Sequence, residues 1–218
     1  QIYIHLLLKI NRKTIKDMKR ILHVMSSLQE NESYSIKLGN KIVQEIQKKY
    51  PDSKVEELNL VDLEIPHLTP KMLKTFFTPE HQLTAIEKDI INLSNKFVKQ
   101  LLDSDILVIG APLYNFTIHS VLKSWIDHIT RAGITFGYGD DGRPIGKVLG
   151  KKVYIAMTSG GVFSEGPGKA NDFVAPYLKA FLGFLGMTDT TVVRAEGLKV
   201  PGLKENAVNK AFNYIQID

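Results

Sequence analysis

The sequence predicts an α/β fold: a doubly wound, five-stranded parallel sheet with helices on both faces. Three observations carry that expectation. Short segments of strand character recur at 19–25, 54–60, 105–110, 151–157 and 190–195. Each is followed by a stretch whose apolar residues fall at helical spacing. The third run, Asp105-Ile-Leu-Val-Ile-Gly110, is β-branched and continuously apolar, as a central strand buried on both faces should be.

Taken in order, residues 1–17 stand apart in charge. They hold four of the 28 basic residues and one of the 23 acidic ones. The apolar run 2–8 is short for a membrane span, and its basic residues follow it, whereas a secretion signal has them first. The segment reads as an upstream or non-native extension, with a short extra strand or helix as the competing reading. Met18 then opens the domain, 18–218.

The strand 19–25 leads through Ser26 and Ser27 to Ser33, Tyr34 and Ser35, and into a helix over 33–49. Ile36, Leu38, Ile42, Val43 and Ile46 give it a core face, and Pro51 ends it. Serines at a helix start either cap the backbone or hold a phosphate. The segment 54–60 alternates acidic and apolar residues, as a strand near a sheet edge does. Residues 62–79, with Pro66, Pro70 and Pro79, read as a long surface excursion. A helix over 80–102 follows, with Leu83, Ile86, Ile90, Leu93, Phe97 and Leu101 on one stripe.

The stretch Ala111-Pro112-Leu113-Tyr114-Asn115-Phe116 connects the third strand to a helix over 118–131. Pro112 lacks a ladder donor, and Asn115 tolerates an unusual turn conformation. The helix turns Val121, Leu122, Trp125, Ile126 and Ile129 to one side. Residues 132–150 form a loop with a hairpin turn at Asp141-Gly142. Gly137, Gly139 and Gly142 match GxGxxG, but no helix follows, and Asp140 and Asp141 would repel a pyrophosphate. The fourth strand of the alternation, 151–157, ends in Thr158-Ser159-Gly160-Gly161, which lets backbone approach a ligand closely. A helix over 171–185 stopped by Gly186, the strand 190–195 and a helix over 204–217 complete the chain.

Composition narrows the function classes. The formal charge is +5, but beyond residue 17 only 24 basic residues face 22 acidic ones, scattered along the chain. That balance argues against a nucleic-acid partner. No apolar run has the length of a membrane span. The chain has no cysteine, which excludes thiol nucleophiles and thiolate metal sites and fits a reducing cytoplasm. No Ser-His-Asp set, metal cluster or carboxylate pair stands out.

In the flavodoxin-like strand order 2-1-3-4-5, the loops after strands one, three and four meet at the carboxyl edge, where such sheets bind ligands. Hydroxyls suited to a phosphate, an aromatic and polar loop beside a flat ring, and a glycine loop at the ring's polar edge match the anatomy of FMN. From Met18 onward the chain resembles the bacterial FMN-dependent NADH azoreductases, also called NADH:quinone oxidoreductases. The resemblance is carried by Ser27 with Ser33-Tyr34-Ser35, by the Tyr-Asn-Phe loop, and by Arg131-Ala-Gly-Ile-Thr-Phe136. Thr-Ser-Gly-Gly at 158–161 and Phe-Leu-Gly-Phe-Leu-Gly at 181–186 continue it.

The resemblance implies a cytoplasmic homodimer with one FMN per subunit and active sites at the dimer interface. It implies that NADH, or NADPH, reduces the flavin and leaves, and that a quinone or azo compound then takes two electrons. By the same carry-over, Ser27, Ser33, Tyr34 and Ser35 hold the phosphate. Pro112, Leu113, Tyr114, Asn115 and Phe116, with Thr158, Ser159, Gly160 and Gly161, contact the isoalloxazine. Related quinone reductases often have a tyrosine or histidine after the glycine loop; here Val162 and Phe163 follow, so Phe163 shapes an apolar shelf. His119 reads as an exposed helix-start residue, and no catalytic acid is named. Two other classes compete. A flavodoxin-type electron carrier is usually shorter and acidic, and a response-regulator-like domain needs an acidic cluster where this chain has Ser26 and Ser27.

Overall fold

The computed structural model describes residues 18–29 and 32–217. The expected extension at 1–17 lies outside them, as do Glu30 and Asn31 of the serine-rich turn. Strands β1 (Arg20–Met25), β2 (Lys54–Asn59) and β3 (Ile106–Pro112) are followed by a hairpin of β4 (Phe136–Tyr138) and β5 (Pro144–Gly146), then by β6 (Lys152–Thr158) and β7 (Asp189–Ala195). Five of them form one parallel sheet in the order β2-β1-β3-β6-β7. The expected order 2-1-3-4-5 counted no strands between the third and fourth of the sheet. The hairpin shifts that numbering and stands as its own antiparallel pair. Its turn holds Gly142 at φ 75°, which disposes of the GxGxxG match.

Helices α1 (Tyr34–Lys49), α2 (Pro70–Phe76), α3 (Ala85–Asp103), α4 (Ser120–Ile129), α5 (Ala175–Leu185) and α6 (Lys204–Asn213) cover both faces. Alternate residues of each strand point to opposite sides. Leu22, Val24, Leu107 and Ile109 therefore pack with Phe97, Leu101, Trp125, Leu178 and Leu182, on the side of α3, α4 and α5. Ile21, Val108 and Tyr154 pack with Leu38, Ile42 and Ile46 of α1 and Ala211 of α6. Every residue of β3 is buried, which is why its sequence shows no alternation. The edge strand β2 is largely exposed, as its acidic residues foretell.

Several expectations are corrected. Residues 62–79 are not all loop: Thr69 caps α2 by accepting from Met72 N, Pro70 opens it, and Met72, Thr75 and Phe76 are buried. The long helix starts at Ala85, where Thr84 and Glu87 form a capping box, and 80–82 is a 3-10 turn. Its buried stripe is Ile91, Ser94, Phe97, Val98 and Leu101, while Ile86 is exposed. Ser94 is inside because its Oγ donates to His128 O at 2.7 Å and receives Arg131 at 2.8 Å. The buried Arg131 guanidinium also reaches Asn95 and lies 4.2 Å over the Phe76 ring, so it ties α2, α3 and the end of α4 together. Helix α5 begins at Ala175, because Asp172 Oδ1 accepts from Val174 N and Ala175 N and ends the preceding 3-10 segment. Helix α6 ends at Asn213, short of 217. Beneath α1, His23 is fully buried against Gly39, where any Cβ would overlap the imidazole, and neither ring nitrogen has a hydrogen-bond partner among the described residues.

Candidate functional site

The sheet order reverses between β1 and β3, so the loops leaving their carboxyl ends diverge and leave a crevice. Ser26 Oγ donates to Gly110 O at 2.8 Å and fixes the start of the first loop against β3. Ser27 Oγ accepts from Gln29 N at 3.2 Å. At the start of α1, Ser33 is the N-cap: its Oγ accepts from Ile36 N at 3.3 Å and shares a hydrogen bond with Ser35 Oγ at 3.0 Å. Both hydroxyls are buried at a helix end whose first turn carries no acidic residue. An anion is favoured there by the unpaired amides and the helix dipole.

The second loop extends β3. Leu113 N donates to Thr158 O at 2.8 Å, and Tyr114 and Thr117 then exchange two backbone hydrogen bonds of 2.9 Å. The two residues between them, Asn115 (φ 48°) and Phe116 (φ 69°), are both left-handed. Asparagine tolerates that conformation, but phenylalanine in it is strained. Phe116 O accepts from Phe173 N at 3.2 Å, and its ring meets Phe163 edge-on at 6.3 Å. The neighbouring turn of α4 is capped by His119, whose Nδ1 accepts from Val121 N at 3.4 Å. His119 is half-buried rather than exposed, and burial lowers its pKa.

The third loop is held by a fourth that the sequence reading did not include. Gly197 N, Leu198 N and Lys199 N donate to Gly161 O, Ser159 O and Gly160 O at 3.0, 3.1 and 2.9 Å. Beyond the glycines, Phe163 N donates to Glu196 Oε1 at 3.0 Å. Glu196 also pairs with Arg194, whose other arm meets Asp172 at 2.6 Å. This chain of charges joins the glycine loop, the end of β7 and the start of α5.

Together the loops line one cleft of about 470 Å³. Ser27, Ser33, Tyr34, Pro112, Leu113, Tyr114, Asn115, Thr158, Ser159 and Gly160 all contribute to it. Of the remaining expected residues, Ser35 is buried behind Ser33, Gly161 faces the 197–199 segment, and Phe116 stands half-exposed at the rim. Gln29, Leu198, Lys199 and Lys204 line the cleft without having been foreseen. The signal for Leu198 and Lys199 was the loop after the fifth strand of the sheet, with a left-handed glycine at Gly197. Tyr114 and Asn115 also border an adjoining cleft of about 570 Å³ that reaches His119, Lys123 and Tyr177.

A family model described as flavodoxin-like fold matches residues 19–216. Over 195 residues the chain is 45% identical to an FMN-dependent NADH:quinone oxidoreductase of Herminiimonas arsenicoxydans, covering 89% of this chain and 94% of that one. The crystal structure of an azoreductase from Bacillus anthracis superposes with a TM-score of 0.84 at 30% identity, covering 91% of this chain and 97% of that one. A second azoreductase structure from Bacillus anthracis, FMN-dependent and in complex with FMN, gives a TM-score of 0.79 at 26% identity over 90% and 95% of the two chains. The agreement extends over nearly the whole length of both partners, and the chain belongs to the flavodoxin-like family of FMN-dependent NADH:quinone oxidoreductases.

Proposed function

We propose that the chain is an FMN-dependent NADH:quinone oxidoreductase that also reduces azo compounds. The observation that carries this reading is the convergence of the serine, Tyr-Asn and glycine loops on one cleft at the switch point of the sheet. FMN fits the residues present. The cleft has the size of a small-molecule site, hydroxyls at one end beside a helix N-terminus, and no carboxylate among the described residues that line it. When bound, FMN would supply the two-electron redox chemistry between NADH and a quinone or azo acceptor.

The protein's part is to hold and orient. Ser27, Ser33 and the first amides of α1 hold the phosphate, and Ser35 fixes the Ser33 hydroxyl. Leu113, Tyr114 and Asn115 form the wall beside the ring, with the Asn115 amide as an added donor. Thr158, Ser159 and Gly160 lie at its polar edge. Phe116 and Phe163 form an apolar rim over which a flat acceptor can stack. His119 is spent on capping α4 and keeps its Nδ1 as an acceptor, so no proton donor is assigned to it. NADH is the donor that the relative's name supports, and a cytoplasmic setting fits its use and a chain without cysteine.

The active form is a homodimer with its clefts near the subunit interface, and residues 18–218 are its cofactor-binding unit. Two observations support the dimer. Helix α5 buries Leu178, Leu182 and Leu185 on the sheet, yet leaves Tyr177 and Phe181, stacked on each other, half-exposed. The neighbouring surface exposes Phe173, Tyr138, Ile145 and Leu149. A further aromatic of α5 is covered within the chain, because Phe184 packs on Phe136 of β4 at 4.8 Å. Purified protein should show a bound-flavin visible spectrum and sustain NADH oxidation in the presence of a quinone. Flavin binding without turnover would favour an electron carrier. A monomer by light scattering at micromolar concentration would remove the dimer.

A further inference from the structure

Among the described residues, the only charged ones lining the cleft are two lysines that the family resemblance did not point to, Lys199 and Lys204. Lys199 sits over the glycine loop. Its backbone N–H donates to Gly160 O, and its side chain lies across Gly160, where an added Cβ would come within 3.1 to 3.4 Å of its methylenes. No carboxylate pairs with Lys199 among the described residues. The nearest acid in sequence, Glu196, is engaged by Phe163 N and Arg194. Glycine at 160 is thus what lets this ammonium-bearing chain lie flat along the cleft wall, and its charge has no partner among the described residues.

We propose that Lys199 is the cation that faces the pyrimidine edge of the flavin and stabilises its reduced, anionic form over the oxidised one. The assignment rests on the reading of the cleft as an FMN site. The phosphate has its own binding end at Ser33 and the start of α1, on the far side of β3 from β6 and its glycine loop. A neutral oxidised ring gains little from an ammonium group, whereas a ring that has gained two electrons carries negative charge at its pyrimidine edge near neutral pH. A preorganised cation therefore acts on one redox state selectively. Lys199 is a potential-setting residue in this scheme.

The test is potentiometry on the FMN-bound protein, together with flavin titration of the apo-protein. Lys199→Met keeps the aliphatic cover over Gly160 and removes the charge. It should weaken binding of reduced FMN about tenfold relative to oxidised FMN, a shift of about 30 mV to more negative potential for a two-electron couple. Lys199→Arg should restore most of the shift. Lys204→Met, which removes the same charge from the same cleft, should leave the potential near that of the parent. An unchanged potential in Lys199→Met, with FMN still bound, overturns the assignment while leaving the FMN site standing. An equal shift in Lys204→Met also overturns it, by showing a diffuse field in place of a local contact. A parent protein that fails to bind FMN at all overturns both.

Discussion

Asn115 makes two separable contributions, and two substitutions pull them apart. Its backbone sits at φ 48°, next to Phe116 at φ 69°, in a turn closed by the paired hydrogen bonds of Tyr114 and Thr117. Asparagine enters the left-handed region at little cost, alanine pays about 1–2 kcal/mol there, and glycine almost nothing. Asn115 is exposed and lines the cleft, and its side-chain amide has no hydrogen-bond partner among the described residues. As a donor to the flavin it should contribute about 0.5–1.5 kcal/mol. Asn115→Gly should therefore melt close to the parent as apo-protein but bind FMN up to about tenfold more weakly. Asn115→Ala should lose the same affinity and, in addition, about 1 kcal/mol of stability. Quenching of FMN fluorescence on binding reads the first quantity, and urea melts of the apo-protein read the second. If Asn115→Gly binds FMN as tightly as the parent, the amide does not face the cofactor. If Asn115→Ala melts like the parent, the turn carries no such conformational demand.

Ser33→Ala should cost about 1 kcal/mol of apo-protein stability through the lost cap on Ile36 N, and weaken FMN binding while leaving turnover at saturating FMN unchanged; a fall in saturated turnover would place Ser33 nearer the ring than the phosphate. Burial lowers the His23 pKa from 6.5 to about 4. The unfolded chain thus takes up the proton first, so the stability is complete above about pH 6.5 and drains by about 3 kcal/mol as pH falls toward 4. Urea midpoints measured from pH 7.5 to 4.5 should fall more steeply for the parent than for His23→Met, and parallel curves would rule His23 out as the cause. A chain beginning at Met18 should bind FMN with the parent's affinity in a flavin titration; loss of binding or of solubility would give residues 1–17 a structural role.

The fold was legible because its strands are uniform in character. Asp105 to Gly110 could be read as central from composition alone, and the acidic alternation of 54–60 marked an edge. Helix boundaries were missed where capping chemistry competes with hydrophobic period. Thr69-Pro70 and the Thr84–Glu87 box are start signals in the sequence, yet Leu83 and Ile86 pulled the expected start of α3 too early. Ser94 could not be read as a core residue, because only the tertiary placement of the end of α4 puts the Arg131 guanidinium and the His128 carbonyl within its reach. At the site, Asn115 announced its own conformation. Phe116 did not, since nothing in a phenylalanine side chain favours a positive φ, and the surrounding contacts impose it. Lys199 was invisible for a different reason: its partner is the backbone of Gly160, 39 positions away, and no sequence pattern marks that pairing.

The distribution of the cleft along the chain links cofactor and folding. Its walls come from Ser27, Asn115, Gly160 and Lys199, which meet only when β1, β3, β6 and β7 have all found their register. Parallel pairing across such separations is slow, because long loops must close before any contact repays their entropy. A partly assembled sheet then presents the serine end or the glycine end of the cleft, but not both. The free energy of binding accrues to the finished topology alone. Vitamin-derived nucleotide in hundredfold excess over its dissociation constant would add about 2.7 kcal/mol to the native state, a large fraction of what a domain of this kind has to spare. Supply of the flavin would then help set how much of the chain stays folded, through the same four segments proposed to position the ring.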